Sequence, residues 1–127
     1  MKNCIFLFVS LLGTLACTSP NQSSKISLDG RTFRIENYTG GKPEGTEMMA
    51  FRNGMVENDE CTKWGFGSGA YTHDEKGKFK YTLVSEKEGK MDWEGQVEGS
   101  SIAGKMVWVK AGQEDIQYTF KGEEVKN

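Results

Sequence analysis

A chain of 127 residues with 16 basic and 18 acidic side chains carries a formal charge of −2, too little positive charge to hold nucleic acid through counterion release. Its length suits one folded domain, and 16 glycines against 2 prolines favour many tight turns over stiff linkers. Of the three cysteines, Cys4 and Cys17 fall in the N-terminal apolar and polar stretch, which leaves Cys61 alone in the body of the chain. The domain is therefore expected to hold together by packing, without an internal disulfide.

In chain order, the first feature is Lys2 followed by an apolar run, Ile5 to Leu12, with Gly13, Thr14, Leu15 and Ala16 behind it. The run is too short to cross a bilayer and has the layout of an export signal. Thr14-Leu15-Ala16-Cys17 resembles a bacterial lipobox, with Leu15 two residues before the cysteine rather than three. The resemblance implies cleavage after residue 16, acylation of Cys17 and a polar tether over 17–25 ahead of a domain over 26–127. It further implies a periplasm-facing, outer-membrane-anchored lipoprotein whose membrane partner is engaged through acyl chains such as palmitate. Thr-Leu-Ala also meets the small-x-small rule of ordinary secretory cleavage, so a secreted soluble protein is the alternative.

Beyond the tether the apolar residues alternate, the mark of half-buried strands. Thr32 to Glu36 sets Phe33 and Ile35 on one face. Thr46 to Arg52 and Met55 to Asp59 flank Asn53-Gly54, a hairpin turn whose two residues tolerate positive φ. Cys61 to Gly69 reads as a glycine-rich connection, and Gly69 to His73 as a short strand. Phe79, Tyr81 and Leu83 alternate with Lys78, Lys80 and Thr82.

The segment Met91 to Trp108 specifies its own pairing. With Gly99-Ser100 as a two-residue loop, Val97 meets Ile102, Gly95 meets Gly104, Trp93 meets Met106, and Met91 meets Trp108. The other face then opposes Glu94 to Lys105, and a slip by one residue would scatter both sets. Parity also predicts an odd loop near Glu86-Lys87-Glu88 between Leu83 and Met91. A three-residue loop around Ala111-Gly112-Gln113 sets Ile116 beside Trp108, opening a last strand with Tyr118 and Phe120.

About eight short strands joined by hairpins predict an all-β, single-domain, up-and-down antiparallel β-barrel, since closure removes the two raw edges of an open meander. Gly95 and Gly104 are expected to let the sheet coil or a ring lie across them. The order of "EGKMDWEGQVEG", "IAGKMVW" and "YTFKGE" resembles small bacterial envelope proteins with a lipocalin-like, or calycin-like, domain. That resemblance implies a barrel able to hold a ligand and no defined activity.

The candidate ligand-facing set is Tyr81, Met91, Trp93, Met106, Trp108, Tyr118 and Phe120, residues that either line a pocket for a small apolar ligand or fill a core. A second candidate is a partner loop, Trp64, Phe66, Ser68 and Tyr71. Its "SGAY" resembles the loop by which some periplasmic lysozyme inhibitors enter their target, without the basic residue found between Ala and Tyr. It implies a module binding a periplasmic protein such as a cell-wall hydrolase. His73 reads as a solvated turn residue and Cys61 as a small core residue, each lacking the partners a base, nucleophile or metal ligand needs. "GFGSG" has no following helix to finish a phosphate site. No catalytic constellation, metal site or cofactor motif stands out, and the expectation is a non-enzymatic binding or scaffolding protein.

Overall fold

The computed structural model describes residues 27–126, so the expected export signal, Cys17 and the expected tether lie outside the described residues. Eight antiparallel strands close into one barrel in chain order. They are β1 (Thr32–Thr39), β2 (Lys42–Arg52), β3 (Met55–Asn58), β4 (Gly69–His73), β5 (Lys78–Ser85), β6 (Gly89–Glu98), β7 (Ser101–Val109) and β8 (Ile116–Glu124). Every strand pairs with its sequence neighbour, and β8 returns to β1 from Phe33↔Glu124 to Tyr38↔Thr119. The predicted up-and-down barrel is thus the observed one, a topology compatible with lipocalin-like domains.

The turns follow their residues. Asn53 (φ 56°) and Gly54 (φ 77°) both take positive φ between paired Arg52 and Met55, as a type I′ hairpin requires. At Gly99-Ser100 only the glycine does, and Glu98 pairs with Ser101 across it. Every pair expected between β6 and β7 is present, Gly95↔Gly104 and Trp93↔Met106 included. Ser85 pairs with Gly89 around Glu86-Lys87-Glu88, and Trp108 pairs with Ile116, so both registers have the expected parity, although the second connection encloses the seven residues 109–115 rather than the three around Gly112. Glu94 and Lys105 approach to 4.0 Å on the outer wall.

Three features differ from the sequence reading. The first two strands run further than expected, β1 to Thr39 and β2 from Lys42, because a bulge between Asn37 and Tyr38 restarts the ladder where alternation alone reads as broken. The strand after Asn53-Gly54 stops at Asn58. Asp59–Thr62 then forms one helical turn, α1, so Cys61 sits in a helix rather than in an open connection. Finally, Leu28 is fully buried although its flanking residues are exposed. The backbone of Gly30 and Arg31 bonds to Phe51, which swings Leu28 under the barrel as a plug.

The two ends of the barrel are closed differently. At the lower end, beside the turns at Asn53-Gly54, Asp74–Gly77 and Gly99-Ser100, Arg31 Nη2 reaches Glu124 at 2.8 Å and the Gly99 carbonyl at 2.6 Å. Asp29 there accepts the Tyr71 hydroxyl at 2.7 Å and the Gly54 N–H at 3.0 Å. The upper end is covered by α1, the 63–68 loop and the loops after β5 and β7. The Ser85 hydroxyl ties these together, donating to the Trp64 carbonyl at 2.9 Å and accepting from the Glu88 N–H at 3.2 Å.

Alternation puts Phe33, Ile35, Met49, Phe51, Phe79, Tyr81, Leu83, Trp93, Ile102, Met106 and Phe120 inside. The opposed glycines make this filling possible. A Cβ on Gly104 would stand 2.7 Å from Phe120 Cζ, and one on Gly95 would stand 3.0 Å from the Cζ atoms of both Phe120 and Phe79. The rings occupy the volume that side chains at 95 and 104 would need.

Candidate functional site

Both indoles of the β6–β7 ribbon face the barrel interior, as the register demands. Trp93 is 1% exposed and forms the centre of an aromatic file. Its ring stacks on Tyr81 at 5.7 Å with 6° between planes, and Phe120 tilts against it at 5.3 Å. Phe79 stacks on Tyr81 in turn at 6.1 Å. Tyr81, Trp93, Met106 and Phe120 from the candidate set are therefore packed at mid-barrel. Met91, Trp108 and Tyr118 lie nearer the upper end, half-buried against that core. The Trp108 indole N–H donates to the Glu88 carbonyl at 2.6 Å, which holds the ring at the rim.

Polar side chains share this interior. Glu47 lies on the same face of β2 as Met49 and Phe51 and is buried. Its Oε2 accepts from Asn37 Nδ2 at 2.5 Å, and its Oε1 accepts from the Cys61 thiol at 3.6 Å. Asn58, fully buried at the end of β3, accepts the Tyr81 hydroxyl at 2.8 Å through Oδ1. Loss of hydration raises the Glu47 pKa above its ordinary value, against the lowering effect of Asn37, Cys61 and Asn58. Burial, reinforced by the Glu47 carboxylate, pushes the Cys61 thiol well up. That shift favours the neutral thiol over the thiolate. Burial raises Tyr81 too, with Glu47 adding to it. Among the described residues, the buried Asn37 Oδ1 and Trp93 Nε1 have no hydrogen-bond partner, while Asn58 Nδ2 is turned toward the Glu47 carboxyl without reaching ordinary hydrogen-bond length.

The expected partner loop divides. Trp64 is 64% exposed and Ser68 is exposed, whereas Phe66 is 2% exposed and packs with Cys61 in the core. Tyr71 is half-buried, edge-on to Phe51 at 5.0 Å, with its hydroxyl on Asp29. Phe66 and Tyr71 thus anchor the segment from inside, and Trp64 is what it displays. His73 ends β4 in solvent, its Nδ1 3.3 Å from the Asp74 carbonyl oxygen. On the outer wall, a trough crosses the sheet where it coils over Gly95 and Gly104, between Lys78, Lys80, Glu94 and Lys105.

No family model, curated protein or solved structure matches this chain. The site has to be read from its own residues. They make an interior that is aromatic in bulk and polar at a few points. Sequence reasoning placed the aromatics but missed Asn37, Glu47 and Asn58. For Glu47 a signal was present, since 47, 49 and 51 share parity and two of them are Met and Phe.

Proposed function

We propose that this protein is a non-enzymatic, lipid-anchored barrel of the bacterial cell envelope that holds a small ligand inside its wall. The observation that carries the reading is the burial of Glu47 and Asn58 among stacked rings, below a rim of Met91, Trp108 and Tyr118. Polar groups cost stability in such a place unless something repays them. Apolar surface at the rim gives a guest its burial, and the polar points give it an orientation. The lipobox-like Thr14-Leu15-Ala16-Cys17 supports acylation of Cys17, and two or more chains on one residue give lasting attachment. The absence of an acidic residue directly after Cys17 supports an outer-membrane anchor with the barrel facing the periplasm.

Native mass spectrometry of protein purified from its own host tests the ligand, together with quenching of tryptophan fluorescence by the lipophilic probe N-phenyl-1-naphthylamine. A bound species, and probe binding weakened by Trp108→Ala, are the expected results; an empty protein that ignores the probe refutes the reading. Metabolic labelling with palmitate, abolished by Cys17→Ser, tests the anchor.

A second reading rests on Trp64, exposed on a loop pinned by Phe66, Cys61 and Ser85 and bonded from the Gly67 N–H to the carbonyl of outward-facing Val84. A rigid loop with one displayed indole suits a module that binds a periplasmic protein, such as an inhibitor of a cell-wall hydrolase. Pull-down from periplasmic extract with wild type and Trp64→Ala separates the two readings. Identical captures would remove the second.

A further inference from the structure

The wall of the barrel is not uniform. From Lys90↔Val109 to Glu98↔Ser101 the β6–β7 ladder runs without a break, whereas β3 and β4 share only Met55↔Ala70 and Val56↔Gly69. Above that short seam β3 has ended, and β2 continues upward past Met49↔Asn58 with no strand on that edge. The chain from 59 to 68 covers the place instead. Asp59 Oδ1 accepts the Met48 N–H at 2.9 Å, where a strand partner would otherwise stand.

Behind this segment lies Glu47. Cys61 comes down from α1 onto its Oε1 at 3.6 Å, and Phe66 is buried in the core with Cys61. Much of the segment's backbone bonds within itself: the Trp64 and Phe66 N–H groups donate to the Cys61 carbonyl, and the Gly65 N–H to that of Thr62. Among the described residues, two bonds tie its backbone to the barrel. The Gly67 N–H donates to the Val84 carbonyl at 3.4 Å, and the Ser85 hydroxyl to the Trp64 carbonyl at 2.9 Å. A segment with few bonds outside itself can part from a scaffold that stays intact, since local opening costs less than global unfolding. We propose that residues 59–68 are a lid over Glu47, that it opens while the strands stay paired, and that the protonation of Glu47 governs how often it does.

The groups around Glu47 leave that role to it. Asn37 from β1 and Asn58 from β3 are neutral amides, and the Cys61 thiol of α1 and the Tyr81 phenol of β5 are both held towards their neutral forms. Asp59 on α1 adds a repelling charge, and among the described residues no cation forms an ion pair with Glu47. Under the closed lid the carboxyl is out of water, which penalises its ionised form and raises its pKa. Opening returns the water and lets it ionise. The closed lid is therefore fully favoured below the ordinary carboxyl range and loses that advantage as pH rises through the raised value. Between the two, the opening constant climbs by up to about ten-fold per pH unit, then levels off. The lid is an entrance for the ligand-holding reading, and it stands without that reading because its test follows Cys61 and no ligand.

The mature protein is labelled with 4,4′-dithiodipyridine from about pH 4 to about pH 7. The rate at Cys61, located by peptide mass spectrometry, is divided by that of N-acetylcysteine at each pH to give the opening constant. Hydrogen exchange at the β6 and β7 amides gives the same quantity for the continuous wall. Cys61 is expected to open at least ten-fold more often than that wall, with a constant that rises at least three-fold over the range. Glu47→Gln should abolish the rise, whereas Asp59→Asn, which keeps the oxygen on the Met48 N–H, should preserve it. A Cys61 constant no larger than that of the wall overturns the lid, since only global unfolding then uncovers the thiol. A flat wild-type profile, a rise that survives Glu47→Gln, or one that vanishes with Asp59→Asn overturns the control by Glu47. Should Glu47→Gln fail to fold, a carbon-13 NMR titration of the wild-type Glu47 carboxyl decides. Its midpoint must fall where the labelling levels off, and a midpoint in the ordinary carboxyl range refutes the proposal.

Discussion

Replacing Gly104 with alanine probes the closure of the barrel directly. A methyl group built there lies 2.2 Å from the Glu94 carbonyl oxygen, 2.6 Å from Gly95 Cα and 2.7 Å from Phe120 Cζ. Ordinary contact begins at 3.4 Å, so the β6–β7 backbone must part by about 1.2 Å. The ring can swing aside, but the carbonyl is held by the ladder on both sides. Overpacking of this kind costs roughly 1–3 kcal/mol, partly offset by the roughly 0.4–1 kcal/mol that Gly→Ala gains by stiffening the unfolded chain. A net loss of about 1.3 kcal/mol lowers Tm by roughly 5–10 °C in a domain this size. Gly67→Ala is the internal control, because nothing lies within 4 Å of its would-be Cβ and its φ is not in the left-handed region. It should leave Tm unchanged or slightly raised. Circular dichroism melts of wild type and both variants suffice. In a Phe120→Leu background most of the Gly104→Ala penalty should persist, since the backbone clash remains. If Gly104→Ala melts within about 2 °C of Gly67→Ala, the account of how this sheet coils is wrong.

Three further outcomes follow from the same geometry. Trp93→Ala empties the middle of the aromatic file and should cost about 3–5 kcal/mol in urea unfolding, with Trp64→Ala, at an exposed position, close to neutral. Glu47→Gln should stabilise at neutral pH: burial raises the Glu47 pKa in the fold, so the native state retains a proton that the unfolded chain releases as pH rises. The Tm gain of the variant over wild type should therefore grow from the acid range upward and level off once Glu47 ionises in the fold; a pH-independent gain would contradict this. Arg31→Ala should lower Tm by about 4 °C near neutrality. The Arg31 hydrogen bond holds the Glu124 carboxyl below its ordinary pKa, so this stabilisation is present above the usual carboxylate range and disappears as pH falls through the depressed value. The Arg31→Ala and wild-type melts should accordingly converge in acid.

Much of the architecture is written in short-range pattern. Apolar residues two apart from Phe79 to Leu83, a glycine at each tight turn and charges that match only in one register made the Met91–Trp108 ribbon legible down to its individual pairs. Both odd loops yielded to the same parity argument. These features are local: a strand's faces and a hairpin's register depend on residues within a turn or two of each other. Where the local pattern is interrupted, at the bulge beside Asn37 and at the Asp59–Thr62 turn, the strand ends went astray.

What closure brought together was not legible. Tyr81 and Asn58 are 23 positions apart, and Glu47 and Cys61 are 14 apart across a helical turn. Leu28 is a single apolar residue with no periodicity to announce it. Phe66 turns inward and Trp64 outward, though both are aromatics in one glycine-rich segment. Alternation and turn chemistry act along the chain, so the strands, the faces they bury and the alignment of neighbours could be read before the fold was known. That a carboxyl and two amides stand among the rings could not, because which inward residues meet across a barrel depends on the circuit being complete.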